Sequence, residues 1–473
     1  MVKIKLLSFI PLISIFILVT GCKHQSLQIN PEEAIAESQK WQNIKGALDY
    51  EREVTKDPKT GEVPNERLYE AYLYAKQLQK EAAQDNNRSA DVLLNEAKWK
   101  SRGPDNIGGR TRAIHIDERD PDRKKIWVGG VSGGLWVTED ITKSDPEWRL
   151  VDDFWETLSI AGIAQDPNNP EVMYVSTGEG YTRDVRGVGV FKTLDGGETW
   201  SLLPVPIGTA FRYIQDVVVW KNGDVYVGTW SGGLFRSSNG GTSWDRVLSS
   251  APVHDIYLTD DLIFVSTAST IYRSETGNSG DFENIGQGNT GFSTNLSRVE
   301  MAVCPSDPEN IYVLGSIGNS ASNVYSTTNG GANWIERAQP TYNSQNGPQE
   351  FTNGQAWYDL ELAVNPDNCN ELLAGGVPML RSAFQGVSWT NNVGGLHVDQ
   401  HAHIFDPKGN GVVYFGNDGG IWYSVNAGQT IQNKNGGYVT TQFYACAMHP
   451  EVGSNYFIGG TQDNNSLKID SDE

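Results

Sequence analysis

Three of the chain's seven histidines fall in one short stretch, His397-Val-Asp399-Gln-His401-Ala-His403. Side chains alternate along a β-strand, so His397, Asp399, His401 and His403 would share one face, with neighbours roughly 6.6 Å apart. His-x-His on a strand can chelate zinc or another divalent metal, and Asp399 offers a third ligand from the same face. The same four residues also suit a hydrated strand that holds no ion. A divalent metal is therefore one of two readings, and no other cofactor is implied.

A second set of chemistry-bearing residues lies in short polar turns. Ser176 to Arg186 carries Glu179, Arg183 and Asp184. Gly228-Thr-Trp230, Gly416-Asn417-Asp418 and Thr461-Gln462-Asp463-Asn464 add an aromatic ring and further acids, and Arg110 and Arg112 open an apolar run. Carboxylates, guanidinium groups and aromatics gathered at one mouth suit a glycan or a peptide. Glu179, Asp184 and Asp418 are the catalytic candidates, and Arg110, Arg112, Arg183, Trp230 and Asp463 the ligand-binding ones. Read plainly, the same residues are hydrated turns. No G-x-S-x-G, H-E-x-x-H or P-loop points to other chemistry.

What must position these turns is a repeat. One unit reads Ile160-Ala-Gly-Ile-Ala-Gln-Asp166-Pro167, Val172-Met-Tyr-Val, Gly189-Val-Phe-Lys, then Thr193-Leu-Asp195-Gly-Gly197-Glu-Thr199-Trp200. The last stretch recurs as Ser237-Ser-Asn239-Gly-Gly241-Thr-Ser243-Trp244, and more loosely from Thr327 through Asn329 to Trp334. Partial copies start at Thr138, Ser274, Ser382 and Ser424, so seven starts are spaced 37 to 55 residues apart. That is about one four-stranded blade each. An eighth unit begins at Phe443 and reaches Glu473 with two strands but no third.

These hairpins are Asp-boxes, and from about Trp99 to its end the chain resembles the bacterial-neuraminidase-repeat β-propellers. That superfamily includes sortilin-type receptors, xyloglucanase-type glycoside hydrolases, sialidases and photosystem assembly propellers. The resemblance implies a mainly β fold, a seven-bladed (or larger, truncated) Asp-box β-propeller preceded by a short α-helical segment. It also implies that Asp195, Asn239 and Asn329 are structural: the acid or amide accepts turn N–H groups, and the Trp tucks between sheets. Second-to-third turns and first-strand entrances would form one mouth of the channel. Xyloglucanase-type relatives use paired aspartates, one in a first-blade turn where this chain has Ser132. Sialidases use an F-R-I-P segment, of which Phe211-Arg212-Tyr213-Ile214 is the nearest counterpart. Both departures argue against transferring either activity and leave open whether the chain is an enzyme. The favoured reading is a sortilin-like module that binds a protein or glycan at the channel mouth. The alternative is a glycoside hydrolase of xyloglucanase-like type with a relocated carboxylate pair.

The amino terminus adds a location. Lys3 and Lys5 precede the apolar run 6–19, and Val19-Thr20-Gly21-Cys22 resembles a bacterial lipobox. The expectation is a signal peptide over 1–21, a lipidated Cys22, and a place in the bacterial cell envelope at the outer membrane. Membrane contact would be through that lipid alone. Residues 22–98 read as a helical spacer, with Leu68, Tyr72, Ala75 and Leu78 at helical spacing and a turn at 57–61. The propeller follows over 99–442 and the further blade over 443–473. A net charge of −21 repels phosphate backbones, so nucleic-acid partners are excluded. Cys304, Cys369 and Cys446 match no zinc or redox spacing and allow at most one disulfide. The apolar settings of Cys304 and Cys446 favour buried thiols.

Overall fold

The computed structural model describes residues 103–469, except 184, 207, 209, 345–346, 392–394 and 452–453, together with scattered positions between 53 and 78. The expected leader, Cys22 and most of the 22–98 spacer lie outside the described residues. So does Asp184. The chain divides into two units, 1–64 and 65–473. In the first, the expected turn is present: Gly61 N donates to Asp57 O at 2.8 Å, and Gly61 adopts φ 69°.

The second unit contains, among the described residues, seven four-stranded antiparallel sheets, spanning 111–150, 160–202, 214–248, 253–284, 298–336, 361–391 and 400–433. Each is a simple meander. Their first strands pack against one another in cyclic order, and the seventh returns to the first, so they surround a channel. Second strands such as Ile126–Gly130, Val225–Thr229 and Val413–Asn417 are buried throughout. They are covered on both faces, which is why they read as unbroken apolar runs without alternation. Fourth strands such as Glu283–Asn284 and Gln432–Asn433 are two exposed polar residues each.

Cohesion comes from seams between neighbouring sheets. Trp127, Leu135 and Val137 of the first sheet pack with Met173, Val175 and Phe191 of the second. Ile126, Val128 and Trp136 meet Tyr414, Ile421 and Tyr423 of the seventh, with Tyr438 wedged beside them. Each such side chain contributes roughly 1.5–3 kcal/mol. At that closing seam Gly109 N donates to Thr440 Oγ1 at 2.8 Å. A Cβ on Gly109 would lie 2.1 Å from Thr440 O, so only glycine fits there.

The recurring hairpins share one hydrogen-bond pattern. Asp195 Oδ1 accepts Thr193 Oγ1 at 2.7 Å and Thr199 N at 2.9 Å. Asn239 and Asn426 repeat both contacts with Ser237, Ser243, Ser424 and Thr430. Trp334 reaches the preceding sheet, donating to Ile285 O at 2.8 Å.

Three expectations are corrected. The last unit has a third strand: Phe443–Met448, Phe457–Thr461 and Ser466–Ile469 form a three-stranded sheet. Positive φ at Asp463 and Asn465 reverses the chain within four residues and leaves room for it. Cys304 is not a free thiol but is bonded to Cys369, with Cα atoms 5.6 Å apart, tying the fifth sheet to the sixth. Cys446 is exposed, because its strand lies outside the ring.

Candidate functional site

The first strands of five sheets carry a register shift near their start. The residues skipped in pairing are Arg112, Ala161, Gln215, His254 and His401. A bulge turns the extra residue out of the strand alternation. All five line a central cavity of about 490 Å³. The same local irregularity, repeated around the ring, thus aims a guanidinium, an amide and two imidazoles into the channel.

Arg110 and Arg112 organise the mouth. Arg110 Nε donates to Asp418 Oδ1 at 3.0 Å, and its Nη2 reaches Asp463 Oδ2 at 3.4 Å. Arg112 Nη1 pairs with Glu179 Oε1 at 3.2 Å, and its guanidinium lies 4.5 Å from the Tyr181 ring centroid and 5.0 Å from that of Tyr358. Arg298 approaches the Tyr181 ring at 4.3 Å. Tyr181 therefore meets two guanidinium groups, an arrangement that cation–π attraction supports when water is excluded. His401 Nε2 lies 2.5 Å from Asp418 Oδ1, while its Nδ1 is 3.7 Å from Asp359 Oδ1.

The carboxyl groups here are driven apart in charge. Burial pushes Asp359 up to about 8, with Asp399 and Asp418 adding like-charge repulsion; both its oxygens lack hydrogen-bond partners. Burial and the neighbouring Asp418 raise Asp399 to about 6. Burial alone would raise Asp418 too, but His401 and Arg110 hold it well below the usual carboxylate range. His401 is brought down to about 4 by burial against the pull of Asp418, so a neutral imidazole N–H donates to an ionised carboxylate. One acid held protonated beside another held ionised is the condition for general acid–base work.

The structure brings together most of the expected mouth residues. Arg110, Arg112, Glu179, Asp418 and Asp463 are linked by the ion pairs above. Trp230 packs edge-on to Tyr181 and His254, at 5.5 and 5.7 Å. Glu179 is spent structurally: it is 2% exposed and accepts both Arg112 and Tyr181 N. Arg183 is exposed, and its carbonyl, not its guanidinium, meets Tyr213 OH. Ser132 Oγ donates to Gln442 Oε1 at 3.2 Å. Phe211, nearest to a sialidase motif, is core between Phe235 and Trp244.

The metal-ligand geometry is not formed. The strand starts only at Gln400, Asp399 adopts φ 63°, and the bulge at His401 breaks the two-residue period again. His397 packs on Trp422 at 6.3 Å, and His403 sits edge-on to Phe415 at 5.2 Å. Among the described residues no group of three His, Cys, Asp or Glu side chains could hold a metal ion.

Sequence reasoning missed Tyr358, Asp359, His254 and Arg298. Tyr358 and Asp359 end an insertion between the fifth and sixth sheets that also holds the hairpin Thr341–Ser344 with Gly347–Glu350. The signal for them was the 55-residue gap between the starts at 327 and 382, with Trp357-Tyr358-Asp359 inside it.

No protein-family model matches the chain. It is 26% identical over 293 residues to a xyloglucanase of Paenibacillus sp., covering 55% of this chain and 26% of that one. A xyloglucanase of Hypocrea jecorina is 25% identical over 267 residues, 48% of this chain and 29% of the relative. The chain thus spans between a quarter and a third of the length of these curated relatives. Among solved structures, the GH74 xyloglucanase from Xanthomonas campestris superposes with a TM-score of 0.58 at 17% identity, over 78% of this chain and 60% of that one. An ancestral GH74 enzyme gives 0.56 at 15% identity, over 79% and 54%. The fold is that of a β-propeller, and in sequence the chain is glycoside-hydrolase-like.

Proposed function

We propose that this chain is the propeller portion of a glycoside hydrolase acting on a β-linked polysaccharide of the xyloglucan class. The seven sheets would be the seven blades of one ring. The observation that carries the reading is the adjacent pair Asp399 and Asp418. Asp399 is half-buried at the mouth, raised to about 6, with Oδ1 unpartnered. Its strained backbone fits a functional position. Asp418 is ionised and fixed by Arg110 and His401. Asp399 would protonate the leaving oxygen while Asp418 orients water or stabilises positive charge on the sugar, the division of labour that glycoside hydrolysis requires. Trp230 and the 44%-exposed Trp357 offer apolar faces for sugar rings. The xyloglucanase likeness supports the substrate class. The same likeness favours hydrolysis over the binding module expected from the sequence.

The test is release of reducing ends from xyloglucan and other β-glucans, with Asp399→Asn and Asp418→Asn as controls. Each substitution should lower turnover about 10²–10⁴-fold. Turnover that survives both, in folded protein, refutes the assignment. One observation favours the second reading, glycan or protein binding without turnover: Asp418 Oδ1 already accepts both Arg110 and His401. Retention on immobilised xyloglucan without product would support that reading. Envelope anchoring through a lipid on Cys22 is a further proposal, tested by metabolic labelling with a fatty acid in wild type and Cys22→Ala.

A further inference from the structure

Below the mouth the channel has two unlike halves. Four consecutive sheets present acids to it: Asp216, Asp255, Glu300 and Glu361. The remaining three sheets present Ile114, Ile163 and Ile404, interleaved with His115, His403 and Arg123. The cavity runs from Arg112 and Tyr181 down to Pro305, Pro366 and Pro407, in the first-to-second strand turns of the opposite face. Pro305 and Pro407 are exposed, so that end is open to solvent.

The acids outnumber the cations available to them. Arg298 Nε donates to Glu300 at 2.6 Å, and its other nitrogens go to the carbonyls of Tyr358 and Leu360. Arg112 is committed to Glu179, and Arg123 to Asp406 and Glu118. Among the described residues Asp216 accepts only the backbone amides Val217 N and Ile256 N. Independently of these acids, His254 is 7% exposed with both ring nitrogens unpartnered, and Gln215 Nε2 is unpartnered at 8% exposure. Both side chains line the same cavity. Buried polar atoms left unpaired are costly, and here they point to a polar occupant.

A bare metal ion does not fit, since no three of these groups converge. The acids are spread along an arc, and the opposite wall carries Ile114, Ile163 and Ile404 between the imidazoles of His115 and His403 and the Arg123 guanidinium, which is committed to Asp406 and Glu118. We propose that this lower channel binds an aliphatic diamine or polyamine. Its ammonium groups would pair with Asp216, Asp255 and Glu361, and its methylenes would lie against Ile114, Ile163 and Ile404. Burial pushes Asp216 up to about 7 and Asp255 and Glu361 well above the usual range; a bound ammonium would supply the positive charge that a proton otherwise provides. The volume suits a small ligand.

The test is calorimetric titration of the full chain with spermidine, with 1,4-diaminobutane and with 1,4-butanediol as the uncharged isostere. Saturable one-to-one binding of spermidine is expected, with the diol at least about tenfold weaker. Asp255→Asn and Glu361→Gln should each weaken spermidine about tenfold or more, with the circular dichroism spectrum unchanged. Absence of saturable heat at millimolar spermidine overturns the proposal and leaves a hydrated channel. So does equal binding of amine and diol, a comparison on wild type that does not depend on any variant folding. None of these readouts uses turnover, so the outcome is separate from the fate of the hydrolase reading.

Discussion

Replacing Asp359 by Asn should make the protein more stable at neutral pH while leaving it unchanged in acid. The side chain is 1% exposed, neither oxygen has a hydrogen-bond partner, and burial raises it from 3.8 to about 8. Because the folded value exceeds the unfolded one, the stabilisation is fully present below about pH 4 and is lost as pH rises towards 8. Between pH 5 and pH 7 the unfolded chain has already released this proton and the folded one keeps it, which lowers the stability of the wild type by roughly 2–3 kcal/mol on account of this residue alone. Asn does not titrate, and its amide matches the protonated carboxyl in shape. Urea unfolding at the two pH values measures the effect. The difference in unfolding free energy between pH 5 and 7 should shrink by roughly 2–3 kcal/mol in the variant, since linkage at other groups is common to both proteins. If the variant is instead less stable at pH 7 with the pH slope unchanged, Asp359 is ionised in the native state and paired with a charged His401. The neutral acid assigned to Asp359 beside the ionised Asp418 would then be wrong.

On the proposed hydrolase reading, Asp399 should set the pH limb of turnover. If it must be protonated, kcat/KM on xyloglucan should fall about tenfold per unit above pH 6, and Asp399→Asn should abolish that limb with the activity. Arg112→Ala leaves Glu179 buried without its cation and should lower stability by about 3–5 kcal/mol. The double variant Arg112→Met, Glu179→Gln should recover much of that loss in the same urea assay. Reduction of Cys304–Cys369, which closes a loop of 65 residues, should cost about 4 kcal/mol and lower the melting temperature, while Cys304→Ser should melt at the same temperature with or without reductant.

How much of this was legible from residues alone depends on the range of the interactions involved. The hairpins Thr193 to Trp200 and Ser237 to Trp244 announce themselves, because their hydrogen bonds join residues two and four positions apart and each copy carries the whole device. Repetition of that local chemistry, with apolar runs at blade spacing, determined the fold class and placed the turns holding Glu179, Trp230, Asp418 and Asp463 at the mouth. Alternation also predicted a shared face for His397, Asp399, His401 and His403, and there it failed. A bulge and a positive φ are set by the neighbouring sheets that the strand must meet, not by the strand's own residues.

The charges of the site belong wholly to tertiary structure. Arg110 and Asp418 are 308 positions apart, and His401 is 42 positions from Asp359, yet these contacts decide which acid keeps its proton. A carboxyl group's affinity for a proton depends on how much water remains around it and on which charges stand within a few ångströms. Both are fixed only when the seventh sheet closes on the first. Local repeats were enough to require a ring of sheets with a polar mouth. Only the closed ring made Asp418 an ion and Asp359 a neutral acid, because burial and cross-sheet pairing are properties of the assembled channel and not of any one strand.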